Sequence, residues 1–155
     1  MQSTDRTRAH TPTLGEAAVD GLLAGVGAGV VMAAYLALAN LSLGRGPAEW
    51  ASRLDPSASA SPAVGVLAHL AVAGVYGAAF GGAWRLTPWR PGSLGLLCGL
   101  AYGLGLWAVA LTAISSTRAW TGGPGPFAGL PAGHILGAHG VYGLALAALF
   151  QRARR

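Results

Sequence analysis

Four stretches of the chain, 21–44, 56–84, 91–117 and 119–151, contain no Asp, Glu, Lys or Arg. No other feature narrows the possible folds as far. Crossing about 30 Å of hydrocarbon takes roughly 20 helical residues at about 1.5 Å each, and each run is long enough. Hydrocarbon supplies no hydrogen-bond partner, so an open sheet edge is excluded and helices must satisfy their own backbone. The expected fold class is all-α: an integral membrane protein with four transmembrane helices. Composition agrees, since 10% of the 155 residues are charged against about 25% in soluble domains.

Trimming polar and breaker-rich ends gives spans near 18–41, 62–84, 93–114 and 131–151, within a transmembrane domain at 18–151. A polar N-terminal tail (1–17) precedes it and a basic C-terminal tail (152–155) follows. Gly46-Pro47, the Ser-rich run after Asp55-Pro56 and the stretch Thr121–Pro126 cannot continue a helix. Pro62 and Pro131 stand at helix starts, where a missing N–H costs nothing. Residues 47–54 suit a short interfacial helix anchored by Trp50.

Arginine placement orients the bundle. All ten basic residues are Arg. Arg6, Arg8, Arg85, Arg90, Arg152, Arg154 and Arg155 fall on one side of the four-span topology, and Arg45, Arg53 and Arg118 on the other. The positive-inside rule then puts both termini in the cytoplasm of a multi-pass inner-membrane protein. Trp84 and Trp89 would mark the inner interface, while Trp50 and Trp120 belong to the outer loops. These arginines form no stripe, so nucleic acid is excluded as a partner. Ala37-Leu38-Ala39 resembles a signal-peptidase site, which leaves removal of the first span as an alternative; its length and the preceding Glu16 and Asp20 favour retention.

The chain also repeats itself. A shift of 74 positions aligns Gly21, Gly25 and Gly29 with Gly95, Gly99 and Gly103, and Ala34 with Ala108. Spans two and four share Gly-Val-Tyr-Gly, at 74–77 and 140–143. The reading is a duplicated helical hairpin, its halves related by a pseudo-two-fold axis along the membrane normal. Glycines four apart share one helix face and admit a neighbouring backbone, so Gly21, Gly25, Gly29, Gly95, Gly99, Gly103, Gly74, Gly77, Gly140 and Gly143 are assigned to helix packing. Leu36 and Leu149 are assigned to lipid. With a His upstream of each Tyr-Gly, these stripes resemble small four-helix bacterial inner-membrane proteins of unknown function. The resemblance covers residues 18–151 and implies an architecture without an assigned activity, ligand or catalytic residue.

Few residues offer chemistry. Glu16 and Asp20 lie at a helix N-terminus, where negative charge is favourable by itself. Cys98 is alone, so no disulfide or Cys-based metal motif exists. Ser115-Ser116-Thr117 has no acid or base close in sequence, and the Gly-rich loop at 122–129 lacks the Lys of a phosphate-binding loop. His10 belongs to the tail, which leaves His69, His134 and His139 inside the spans. Two imidazoles facing across a bundle suit a b-type haem or a metal, with Gly74, Gly137 and Gly140 making room for a flat ring. The alternative is that each His bonds a carbonyl or Tyr on a neighbouring helix. Aligned through Tyr-Gly, His69 does not superpose on His139, which argues against a symmetric site.

Three functions follow as expectations. The first is a non-catalytic accessory or assembly subunit without a cofactor, partnered by another membrane protein or by a second copy. The second is a haem- or metal-binding electron or proton relay through the intramembrane histidines. The third is a small channel or carrier, for which the midplane offers only Tyr35, Tyr76, Tyr102 and Tyr142.

Overall fold

Apolar sequence this rich in glycine forms helices because the backbone has no better way to satisfy itself out of water. A computed structural model describes residues 13–57, 59–87, 92–121 and 129–154, the 113–121 stretch by its backbone alone. The helices are α1 (Leu14–Ser42), α2 (Pro47–Ser52), α3 (Pro62–Leu86), α4 (Ser93–Thr121) and α5 (Ala132–Ala153), with no strand among the described residues. Four of them, all but α2, are long and apolar enough to cross a membrane. His10, the 88–91 turn with Trp89 and the loop at 122–128 lie outside the described residues.

The ends have local causes. Helix α1 starts four residues before the expected boundary because Thr13 and Glu16 form a capping box: Glu16 N–H donates to Thr13 Oγ1 (3.2 Å) and Thr13 N–H to Glu16 Oε2 (2.6 Å). It closes at Gly44, whose φ of +73° suits a residue without a side chain. Beyond it, Arg45 N–H reaches back to the Asn40 carbonyl (2.9 Å). Pro62 opens α3 behind Ser61, whose hydroxyl accepts from Val64 N–H. Pro131 caps α5 from just outside rather than beginning it. Helix α4 continues past position 114 through Ser115–Thr117 to Thr121, and α5 extends to Ala153, into the expected tail.

Helix α1 is the hub. It packs on α3 and on α5, and α5 in turn carries α4. The closest approaches run through glycines. A Cβ on Gly21 would fall on the Gly77 carbonyl, one on Gly25 on the Ala73 carbonyl, and one on Gly81 on the Ala17 carbonyl. In the second hairpin a Cβ on Gly99 would strike the Gly143 carbonyl, and one on Gly103 the His139 carbonyl. Gly74 and Gly140 make looser contacts, with the side chains of Val26 and Leu100.

These pairings correct the repeat. With Gly77 matched to Gly143, Gly21 occupies the place of Gly99 and Gly25 that of Gly103. The odd helices therefore correspond one helical turn away from the 74-residue alignment. A four-residue glycine period looks the same after a one-turn shift, so the sequence pattern leaves that choice open.

Leu36, Leu146 and Phe150 are fully buried in the core. Leu36 was expected to face lipid, but α1 is covered on two sides and the position is interior. Leu149 is partly buried, with its Cδ1 2.9 Å from the position a Gly27 Cβ would take. An aromatic cluster binds α3, α4 and α5: Phe80 lies 5.2 Å from Tyr102, 5.5 Å from Trp84 and 5.8 Å from Phe150, centroid to centroid. Trp84, expected at an interface, turns inward into this cluster.

Candidate functional site

Helices α3 and α5 begin at the same end of the bundle, the end that carries α2. Seven to eight residues of rise bring His69 and His139 to a similar depth there, about 10 Å in. His134 lies nearer the end of the bundle, one turn before His139.

Each imidazole has a protein partner. His69 Nε2 donates across to the Gly29 carbonyl on α1 (3.1 Å). His139 Nδ1 donates to the Ile135 carbonyl of its own helix (2.9 Å). His134 Nδ1 and the Tyr35 hydroxyl are 3.5 Å apart, the long limit of a hydrogen bond. A ring nitrogen that faces a carbonyl must carry the proton. In the neutral state the lone pair is then on Nδ1 of His69 and on Nε2 of His139.

Helix α2 packs against α3 in this region. The Ala51 carbonyl lies where a Gly65 Cβ would be, so only glycine lets α2 seat on α3. Trp50 is thereby 5% exposed, its ring edge-on to His69 at 6.1 Å. Its Nε1–H is buried without a hydrogen-bond partner. Just beyond, the Asp55 carboxylate accepts from Ser57 N–H and hydroxyl, Ser59 hydroxyl and Ser61 N–H (2.6–2.8 Å). The Ser57 and Ser59 hydroxyls hold that carboxyl well below the usual carboxylate range.

Tyrosines join the helices through backbone oxygen. Tyr142 donates to the Ala73 carbonyl (2.7 Å), tying α5 to α3. Tyr102 donates to the Tyr76 carbonyl (2.8 Å), tying α4 to α3. At the opposite end Arg154 pairs with Asp20 (3.4 Å) and lies over Phe150, 4.8 Å from the ring centroid. Asp20 is thus bound to the end of α5 as well as placed near a helix start. Gln151 Oε1 accepts from Gly92 N–H (2.5 Å).

The three expected residues share one end of the bundle. Among the described residues no three His, Cys, Asp or Glu side chains converge as a metal site. The room expected for a flat ring is occupied: Val26 packs on Gly74, the Tyr35 hydroxyl on Gly137 and Leu100 on Gly140. Sequence reasoning missed Trp50 as the neighbour of His69, together with Gln151 and the carbonyl partners of the tyrosines. Only Gly65, which makes room for Ala51, could have suggested that α2 docks. Comparison with protein families, with curated proteins and with solved structures finds no match to this chain.

Proposed function

We propose that this protein is a non-catalytic accessory or assembly subunit of a larger membrane complex, in the inner membrane with both termini cytoplasmic. One observation carries the reading: four histidine and tyrosine side chains within the spans are each bonded to a backbone carbonyl of the chain itself. His69 serves the Gly29 carbonyl, His139 that of Ile135, Tyr142 that of Ala73 and Tyr102 that of Tyr76. Groups so used hold helices together. A scaffold also needs a face for its partner, and α4 supplies one. Only 17% of its membrane window is buried within the chain, against 44% for α5. Ala101, Gly105 and Ala108 are exposed along it.

The test is gentle extraction from the native membrane, followed by native electrophoresis and an optical spectrum. The subunit reading expects a colourless species larger than the monomer, retained in His69→Ala and His139→Ala. A Soret band lost in either variant would instead establish axial ligation and the haem relay. Orientation is tested with single cysteines in a Cys98→Ser background. Positions 57 and 123 should react with an impermeant thiol reagent in intact cells; positions 3 and 153 should react only after lysis.

A further inference from the structure

The two hairpins meet the same packing problem in different registers. On α1 three glycines line the seam: Gly21 against Gly77 and Gly81, Gly25 against Ala73 and Gly77, and Gly29 against Ala73. On α4 only two are seated, Gly99 against Gly143 and Ala147, and Gly103 against His139 and Gly143. The seat that Gly29 fills in the first hairpin falls, one turn after Gly103, to Trp107. Gly95 is left beyond the other end of the seam, beside the Gln151 amide and the Trp84 ring, each 2.7 Å from the position of a Cβ.

Both ends of this seam hold a polar group without a partner. Gln151 is 7% exposed, and its Nε2, directed at Gly95, has no hydrogen bond. The Trp107 Nε1–H is likewise buried and unbonded. Buried donors left unmade are costly, and here they flank the one helix whose glycines are out of step.

We propose that α4 has two registers on α5, one helical turn (about 5.4 Å) apart. In the second, α4 is advanced toward the α2 end. Gly95, Gly99 and Gly103 then fill the three seats that Gly21, Gly25 and Gly29 fill in the first hairpin, and Trp107 leaves the seam. Glycine contacts with Gly143 are conserved in the exchange, because the stripe repeats every four residues. Movement in the opposite sense is blocked, since it would drive Trp107 onto the Gly143 seat. Helix α1 has no such freedom, enclosed between α3 and α5, whereas α4 is the least covered span. Two hydrogen bonds latch the observed register: Gly92 N–H to Gln151 Oε1 and the Tyr102 hydroxyl to the Tyr76 carbonyl. The connection at 87–92 reaches roughly 20 Å when extended, enough to follow.

The experiment measures the distance between spin labels at Leu67→Cys and Leu94→Cys in the full chain with Cys98→Ser, reconstituted in lipid. Both positions are well exposed, on α3 and α4. Tyr102→Phe removes one latch and should populate a second distance, shorter by about 5 Å. Adding Gly95→Ala should abolish the shorter distance, because the new methyl would meet the Gly143 carbonyl in the advanced register. In the observed register that methyl meets only the Gln151 and Trp84 side chains. A single distance in Tyr102→Phe, or a short component that survives Gly95→Ala, would overturn the proposal.

Discussion

Adding one methyl group at Gly25 tests the packing of the first hairpin where it is tightest. In Gly25→Ala the Cβ would lie 2.5 Å from the Ala73 carbonyl oxygen and 2.7 Å from Gly77 Cα, where ordinary contact begins at 3.4 Å. Both neighbours are backbone, so no side chain can rotate aside. Helices α1 and α3 must separate by most of 1 Å locally. Overpacking of this kind costs about 1–3 kcal/mol, and alanine returns up to about 1 kcal/mol in helix propensity. The Ala73 oxygen also accepts from Tyr142, and loosening such an intramembrane hydrogen bond adds about 0.6 kcal/mol. The net expectation is a loss of about 1–2 kcal/mol. Gly82→Ala is the control: its Cβ would meet only Leu14 Cδ1, at 3.7 Å, so propensity should leave it neutral or slightly stabilised. The assay is reversible unfolding by SDS in mixed micelles, followed by tryptophan fluorescence, since Trp50 and Trp84 are buried. Equal midpoints for Gly25→Ala and Gly82→Ala would refute the backbone-contact argument.

Three further outcomes are expected in the same assay or by NMR. Tyr142→Phe should lose about 0.6 kcal/mol, the usual worth of an intramembrane side-chain hydrogen bond; a loss above about 2 kcal/mol would point to a wider network. Trp50→Phe should be neutral or stabilising, because it removes a buried N–H that has no partner; clear destabilisation would mean that an unseen group satisfies it. Asp55 has a depressed folded-state pKa, so its contribution to loop order is complete above the ordinary carboxylate value near 3.8 and fades as pH falls through the folded value. Its carboxyl shift should therefore stay flat from pH 7 to about 4, and titration within the ordinary carboxylate range would contradict the Ser57 and Ser59 bonds.

The spans were legible because a charge-free run of twenty or more residues has few physical outcomes. The glycine seams were legible in kind, since Gly21, Gly25, Gly99 and Gly103 all meet backbone. Their register was not, because translation by one turn preserves the pattern. Leu36 was misassigned for a related reason. In lipid the buried and exposed faces of a helix are equally apolar, so periodicity carries no inside-outside signal. The histidine partners were hidden because Gly29 and Ile135 act through carbonyls, which every residue possesses. Trp50 was taken for an anchor because its burial depends on Gly65, more than a dozen positions later.

The central place of α1 has a consequence for biogenesis. Synthesised before the other three described spans, it can pair with α3 as soon as that helix enters the membrane. Its other side, which receives Leu149 at Gly27 and presents Tyr35 to Gly137, belongs to α5, made after the other three. Roughly a hundred residues separate the two, on the order of 5–20 s of translation. Throughout that interval the hub of the finished bundle offers lipid, or any passing helix, a face shaped for a partner that does not yet exist. A truncation before Ala132 would make that vacancy permanent, and a nascent chain stalled there is the form most exposed to capture by the wrong helix.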